Sequence, residues 1–187
     1  GLRVVSVYMG GGTPTTLSAE QLDALCTLLA QVFDLSALRE YTVEAGRPDT
    51  ITDEKLAVLR RHGADRISVN PQTMSDAVLD AIGRRHTAAD IVDALARVRA
   101  AGGFDVNMDL IAGLPSDTPA GFSETLRQVL ALAPENITVH TLSLKKGSRI
   151  TLEGAALPTA AEVAAMLDAA HAALTAAQLV QRQQVFD

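Results

Sequence analysis

Short runs of β-branched residues alternate along the chain with longer segments in which apolar residues recur at helical spacing. This alternation is typical of βα units. Five strands are predicted, over residues 3–9, 41–45, 66–70, 106–111 and 137–144. The pattern therefore predicts five successive βα units.

Capping residues mark the boundaries of the predicted helices. The first helix begins at Ser18, which forms a capping box with Gln21. The last helix begins at Thr159, which forms a capping box with Glu162, and this helix runs to about Gln178. Four helices are predicted between them. The first starts near Thr52 and stops at Gly63, and the next two cover 75–82 and 88–101, the latter capped by Thr87. The fourth opens at Thr118-Pro119. In the first helix, Leu22, Leu25, Leu29 and Val32 are expected to face inward.

No linker rich in Pro, Gly or Ser separates these units, so residues 1–187 are predicted to form one α/β domain with a parallel sheet. Right-handed crossovers would give either a barrel or a doubly wound sheet. A complete eight-stranded barrel needs about 250 residues. A chain of 187 residues therefore predicts a partial (βα) barrel. The chain opens on a strand without Met, which predicts a fragment that lacks an N-terminal βα unit.

Charge and hydropathy exclude several classes of protein. A formal net charge of −6 argues against a nucleic-acid partner. The apolar runs all end well before the roughly 18 residues of a membrane-spanning helix. The first residues lack the pattern of a signal peptide, and a single cysteine cannot form an internal disulfide. A cytoplasmic protein without a membrane partner is expected.

Polar residues or glycines follow or end four consecutive predicted strands. Gly10-Gly11-Gly12-Thr13 follows the first strand, and three glycines allow a ligand to approach the backbone closely, although a tight turn is the alternative. The second strand ends in Glu44, the third in Asn70-Pro71-Gln72, and the fourth carries Asp109. Each residue alone could be a cap or a solvated side chain. Because βα loops build the active face of a barrel, together they predict a ligand-binding rim.

Five segments follow one another in a characteristic order. They are Gly10-Gly11-Gly12-Thr13-Pro14-Thr15, Val43-Glu44-Ala45, Ser68-Val69-Asn70-Pro71-Gln72-Thr73, Ile82-Gly83-Arg84-Arg85-His86-Thr87, and Asn107-Met108-Asp109-Leu110-Ile111-Ala112-Gly113-Leu114-Pro115. In order and spacing they resemble the radical S-adenosylmethionine (SAM) enzymes of the oxygen-independent coproporphyrinogen III dehydrogenase family. Residues 70–74 and 138–145 resemble the branch called HemZ more than the commoner branches. The resemblance covers about residues 3 to 175.

The resemblance implies an enzyme that converts two propionates of coproporphyrinogen III to vinyls by radical oxidative decarboxylation, in haem biosynthesis. It implies SAM and a [4Fe–4S] cluster as cofactors, a porphyrinogen as substrate, and an electron donor as partner. Two other interpretations stay open. One is a haem-binding chaperone of the same superfamily, and the other is a plain ligand-binding or structural fragment.

The resemblance also implies which residues contact SAM, and assigns none as catalytic. A loop that binds SAM through its backbone matches Gly10, Gly11, Gly12 and Thr13. The family's side-chain contacts to SAM match Glu44, Gln72, Arg84 and Asp109. A further backbone contact falls near Ser143. Arg84 can make two parallel hydrogen bonds to a carboxylate. Glu44 and Asp109 can accept from the ammonium or from ribose hydroxyls, a division that stays open, and Gln72 can both donate and accept.

One feature of the family is absent from this sequence. The family holds its cluster by three cysteines spaced Cys-x3-Cys-x2-Cys, upstream of the glycine loop. Cys26 is the only cysteine here, and its place on the apolar side of the first helix predicts a core residue rather than a ligand. The cluster is therefore expected on cysteines outside this chain, and the fragment alone is expected to be inactive.

The end of the chain carries further candidates. His140 is a possible substrate contact or a structural residue, and Lys145-Lys146 with Arg149 could meet propionates or form a solvated loop. Gln178-Leu179-Val180-Gln181 replaces the Gly-Tyr usual after this helix in the family. Residues 179–187 are therefore not expected to follow the family's path.

Overall fold

The computed structural model describes residues 3–143 and 156–177, and strands and helices alternate through them. The strands are β1 (Ser6–Met9), β2 (Glu40–Ala45), β3 (Arg66–Gln72), β4 (Asp105–Ala112) and β5 (Asn136–Thr141). The helices are α1 (Ala19–Val32), α2 (Asp53–Arg61), α3 (Asp76–Ala81), α4 (Ala88–Ala101), α5 (Pro119–Ala131) and α6 (Ala160–Ala176). Short 3-10 helices cover Pro14–Thr16 and Pro48–Thr50. The predicted continuations to Leu144 and Gln178 lie outside the described residues.

The strands form one sheet in the order β1-β2-β3-β4-β5. Strand β1 pairs with β2 in parallel, with Ser6 opposite Glu40, and β2 pairs with β3 in parallel, with Thr42 opposite Arg66. A doubly wound sheet reverses its strand order at a switch point, whereas a (βα) barrel keeps the order of the chain. The sequential order therefore selects the partial barrel from the two predicted folds.

The chain divides into two compact units. The first consists of Gly1–Asn70 with Ala89–Asn107, and the second of Pro71–Ala88 with Met108–Asp187. Strands β3 and β4 each contribute residues to both units. The single domain over residues 1–187 stays a prediction.

Helix α1 begins as the sequence predicts. Ser18 Oγ accepts a hydrogen bond from the N–H of Gln21 at 3.2 Å, and the Gln21 side chain accepts from the N–H of Ser18 at 2.9 Å. Thr159 and Glu162 form the same capping box before α6. Each cap satisfies backbone donors that the first helical turn leaves without a partner, a contribution of about 1 kcal/mol.

The inward face of α1 differs from the prediction at its last turn. Leu22 and Cys26 are buried, but Val32 is 62% exposed, so the expectation that it faces inward is wrong. At about 100° per residue, Val32 is rotated by about 80° from Leu22, away from Cys26. The leucine repeat therefore runs along one border of the buried stripe and leaves it before the helix ends.

The core of the first unit lies on one face of β2 and β3. Alternate side chains of a strand point to opposite faces. Tyr41, Val43 and Ala45 of β2 are buried among apolar neighbours, whereas Glu40, Thr42 and Glu44 occupy the other face. The strand therefore has one apolar face and one polar face.

The second unit is built around α5 and α6, which pack against each other. Phe122, Leu126 and Val129 of α5 and Met166 of α6 are buried. Burying each such side chain contributes about 1.5–3 kcal/mol. None of the described helices is long and apolar enough to span a bilayer.

Candidate functional site

The loop after β1 is tight at one glycine and open at the next two. A Cβ added at Gly10 would lie 2.4 Å from Cε1 of Tyr8 and 2.7 Å from Oε2 of Glu44. At Gly11 and Gly12 an added Cβ would meet no heavy atom within 4 Å. Gly11 has a φ of 87°, a left-handed conformation that strains other residues. The loop therefore exposes backbone beside open space, as a site for a ligand requires.

Glu44 is held next to this loop. Its Oε2 accepts a hydrogen bond from the N–H of Gly11 at 3.3 Å, and its Oε1 accepts from Nδ2 of Asn70 at 3.0 Å. An ionised carboxylate has about four acceptor sites, so both oxygens keep room for a ligand donor. The structure therefore brings together the glycine loop and Glu44, as predicted from the chain order of β1 and β2.

Lys55 fixes the same loop, although nothing in the sequence singles it out. Its ammonium donates to the carbonyl of Thr15 at 2.6 Å and to the carbonyl of Thr50 at 3.1 Å. The hydroxyl groups of Thr15 and Thr50 are 2.6 Å apart. Thr13 begins the adjoining 3-10 helix, where its carbonyl accepts from the N–H of Thr16. A lysine in the first turn of a helix usually reads as a solvated residue, so only the fold reveals this role.

The other predicted site residues lie in the second unit. Gln72 is buried at the end of β3, and Asp109 is half-buried within β4. Arg84 is half-buried after α3, where its N–H donates to the carbonyl of Leu79 at 2.9 Å. Ser143 is exposed beyond β5. That these residues bind the same ligand as the glycine loop stays a prediction.

Two candidates for a substrate contact have different outcomes. His140 is exposed on β5, a placement open to either a substrate contact or a solvated role. Lys145, Lys146 and Arg149 lie outside the described residues, as do residues 178–187.

Gln72 occupies a left-handed backbone conformation with a φ of 68°. Non-glycine residues in sparsely populated conformations cost about 1–3 kcal/mol, and such strain gathers at functional sites. We expect Gln72→Gly to be more stable than Gln72→Ala by about 1 kcal/mol, because only glycine adopts this φ without strain. Urea denaturation of the two variants measures the difference. Equal midpoints would show that the strain is relieved elsewhere.

Asp117 is a buried carboxyl that sequence reasoning missed. The residue is only 7% exposed, and its Oδ1 accepts a hydrogen bond from the N–H of Thr118 at 2.8 Å. Its Oδ2 has no hydrogen-bond partner. Burial raises the pKa of this carboxyl, and the hydrogen bond from Thr118 opposes that shift in part. Asp before a helix usually signals a solvated cap, so burial could not be read from the sequence.

The raised pKa of Asp117 predicts how stability depends on pH. The folded state holds the Asp117 proton more tightly than the unfolded state, so the stability it contributes is complete below the unfolded pKa and is lost as pH rises through the folded pKa. Asp117→Asn removes the buried charge, and we expect it to stabilise the protein by about 1 kcal/mol at pH 7. Denaturation from pH 4 to pH 8 should show this gain shrinking on acidification. A gain independent of pH would contradict the prediction.

Cys26 does not fit the role of a cluster ligand. The residue is 2% exposed, and its sulfur lies 3.3 Å from the Tyr41 hydroxyl. Burial raises the pKa of the Cys26 thiol, which disfavours the thiolate that metals bind. The prediction of a buried core residue is confirmed. Within residues 3–143 and 156–177, no group of three or more His, Cys, Asp or Glu could hold a metal ion.

The fold and the loop define a class of protein: a partial (βα) barrel with an open glycine loop after its first strand and a carboxylate held beside that loop. Residues 2–129 match the family described as the Radical SAM superfamily. The chain belongs to the radical SAM superfamily, as the sequence motifs predict.

Individual relatives agree with this family. The oxygen-independent coproporphyrinogen-III oxidase-like protein HemZ of Bacillus subtilis is 47% identical over 151 residues, which cover 80% of this chain and 30% of HemZ. The heme chaperone HemW of Lactococcus lactis is 38% identical over 143 residues, which cover 76% of this chain and 38% of HemW. The chain thus spans well under half the length of these curated relatives.

A solved structure confirms the fold. Coproporphyrinogen III oxidase (HemN) from Escherichia coli superposes with a TM-score of 0.82 at 29% identity, covering 94% of this chain and 41% of HemN. The α/β partial barrel is therefore that of a radical SAM protein, and the predicted resemblance to the coproporphyrinogen III family is confirmed. Both oxidase-like proteins and chaperones are among the named relatives, so the family alone does not choose between them.

Proposed function

We propose that this chain is the SAM-binding core of an oxygen-independent coproporphyrinogen III dehydrogenase. The observation that carries the proposal is the glycine loop, open at Gly11 and Gly12, with the Glu44 carboxylate hydrogen-bonded beside it. An open backbone and a fixed anion suit a ligand that presents an ammonium group, hydroxyl groups and a carboxylate. Identity to HemZ, higher than to HemW, supports the dehydrogenase.

The proposed contacts follow the chemistry of each residue. The backbone of Gly10, Gly11, Gly12 and Thr13 receives the methionine end of SAM, and Glu44 accepts from its ammonium or from a ribose hydroxyl. In the second unit, Arg84 pairs with the SAM carboxylate through two parallel hydrogen bonds. Asp109 and Gln72 bind the remaining polar groups, with a backbone contact at Ser143.

SAM, together with a [4Fe–4S] cluster, supplies the radical chemistry by which two porphyrinogen propionates become vinyls. This chain's residues bind and orient SAM and exclude water from it, while cofactor chemistry belongs to the cofactor. Its single cysteine is buried, so the cluster needs ligands from elsewhere in the protein. The proposal includes an electron donor and a cytoplasmic location without a nucleic-acid or membrane partner. The 187-residue chain alone is expected to be inactive.

A haem-binding chaperone is the second candidate. It is favoured by the 38% identity to the heme chaperone HemW of Lactococcus lactis. A chaperone would use the same barrel to bind haem instead of transforming a porphyrinogen. The two candidates therefore differ in what the whole protein does to a tetrapyrrole.

The deciding experiment uses the whole protein with its cluster reconstituted under anaerobic conditions. Coproporphyrinogen III, SAM and a chemical reductant are supplied, and tetrapyrrole products and released CO2 are measured. We expect protoporphyrinogen IX with two CO2 per substrate, and no product from Glu44→Ala. Stoichiometric haem binding without turnover would overturn the dehydrogenase proposal and support the chaperone.

A further inference from the structure

Glu44 stands at one end of a row of polar side chains that alternate with buried apolar residues along β2 and β3. Arg66, Ser68 and Asn70 alternate along β3 with the buried apolar residues Ile67 and Val69. Asn107 of β4 continues the row. All of these residues belong to the first unit. Three of them, Ser68, Asn70 and Asn107, are buried, so their hydrogen bonds are shielded from water.

The row is connected by hydrogen bonds from end to end. Nη2 of Arg66 donates to Oδ1 of Asn107 at 3.3 Å, and Nδ2 of Asn107 donates to Oγ of Ser68 at 2.9 Å. The Ser68 hydroxyl donates to Oδ1 of Asn70 at 2.9 Å. Nδ2 of Asn70 then donates to Oε1 of Glu44 at 3.0 Å. We call this row the Arg66–Glu44 relay.

The two ends fix the direction of every hydrogen bond in the relay. A carboxylate only accepts and a guanidinium only donates. Glu44 therefore requires the amide nitrogen of Asn70, which turns Oδ1 of Asn70 toward the Ser68 hydroxyl. That hydroxyl must donate, so Asn107 donates to it and keeps its own oxygen for Arg66. Aligned donors polarise one another and strengthen the last bond, the one to Glu44.

We propose that Asn70 is the positioning residue for Glu44, and that Ser68 and Asn107 act through it by holding its amide in one orientation. The proposal rests on the function proposed above, in which Glu44 contacts SAM. Asn70 is only 7% exposed and also packs near Gly46, where an added Cβ would lie 3.7 Å from its Nδ2. With Asn70 on one oxygen and Gly11 on the other, the Glu44 carboxylate has a single orientation before any ligand arrives. Such preorganisation increases affinity because the ligand need not order the side chain.

The test measures SAM affinity in the whole, cluster-reconstituted protein by anaerobic calorimetry. Asn70→Asp keeps the size of the side chain but replaces the donor with an oxygen that repels Glu44. We expect it to weaken SAM binding at least about tenfold, equivalent to about 1.4 kcal/mol. Ser68→Ala leaves Asn70 and Glu44 in place but frees the Asn70 amide to rotate, so a smaller loss of affinity in the same direction is expected.

Thr42→Val is the matched control. Thr42 is buried on the same face of β2, and its hydroxyl donates to Oε1 of Glu40 at 2.9 Å. The substitution removes a buried hydrogen bond that does not reach Glu44. It should lower the midpoint of thermal unfolding as Ser68→Ala does, while leaving SAM affinity unchanged.

A double-mutant cycle separates positioning from a general structural effect. If Asn70 acts through Glu44, Asn70→Ala should weaken binding in the wild-type background and have no further effect in Glu44→Ala. Additive losses, or equal losses in Thr42→Val and Ser68→Ala, would overturn the positioning role. Wild-type affinity in both Asn70 variants would do the same while leaving the proposed function intact. A wild-type protein that binds no SAM would instead overturn the proposed function, and this proposal with it.

Discussion

Replacing Gly10 with alanine is expected to destabilise the protein by about 1–3 kcal/mol, the cost of overpacking a tight site, and to weaken SAM binding as much as Glu44→Ala does. The new Cβ would lie 2.7 Å from Oε2 of Glu44 and 2.4 Å from the ring of Tyr8. Tyr8 is 57% exposed. Glu44 cannot move without losing its bonds to Gly11 and Asn70. The new methyl group would therefore displace the carboxylate as well as the tyrosine ring.

Gly12→Ala is the control within the same loop. No heavy atom lies within 4 Å of an added Cβ there, so the variant should fold at least as stably as the wild type, measured by urea denaturation. Its SAM affinity should nevertheless fall, because the methyl group would occupy the open space proposed for the ligand. Equal losses of stability in Gly10→Ala and Gly12→Ala would show that the loop responds to an added methyl group in the same way at both positions. That result would contradict the contact between Gly10 and Glu44.

Arg84→Ala is expected to weaken SAM binding tenfold to a hundredfold in the whole, cluster-loaded protein. Arg84 is the single cation among the residues proposed to bind SAM, and hydrogen bonds to charged groups contribute about 1.5–3 kcal/mol. Each factor of ten in affinity is about 1.4 kcal/mol. Arg84→Lys should recover little, because one ammonium cannot reproduce a planar two-point contact.

Anaerobic titration of SAM into wild type and both Arg84 variants measures this effect. Dissociation constants equal to that of the wild type would remove Arg84 from the site. Since the Arg84 N–H also closes the turn after α3 onto Leu79, thermal unfolding of each variant is recorded alongside. A surface arginine would change stability by about 0.5 kcal/mol or less.

Local patterns in the sequence were sufficient to predict the strands and helices and their order along the chain. The capping boxes at Ser18 and Thr159 are made by residues three positions apart, so both partners are visible in the sequence. Strand β3 was predicted over residues 66–70, yet it continues through Pro71 to Gln72. Proline cannot donate a backbone hydrogen bond, but it is tolerated where a strand nears its end.

Only the site residues that lie at or just after the end of a strand could be predicted from the sequence. Glu44 lies at the end of β2, and the glycine loop follows the neighbouring parallel strand β1, so their proximity could be inferred from the strand ends. The contact of Asn70 with Glu44 joins residues 26 positions apart, and that of Asn107 with Ser68 joins residues 39 apart. Such contacts depend on strand register, which motif spacing does not reveal. The prediction that Val32 faces inward was wrong for a related reason, because the rotation of the helix about its axis decides whether this side chain is exposed.

Lys55 has a consequence for motion. Its ammonium holds the carbonyl groups of Thr15 and Thr50, so one positive charge links the loop after β1 to the loop after β2. Local opening of a protein proceeds in cooperative units. These two loops should therefore open and close as one such unit, with matching hydrogen-exchange protection at the N–H groups of Leu17 and Ile51. A ligand that orders the glycine loop would then order the second loop at little additional entropic cost.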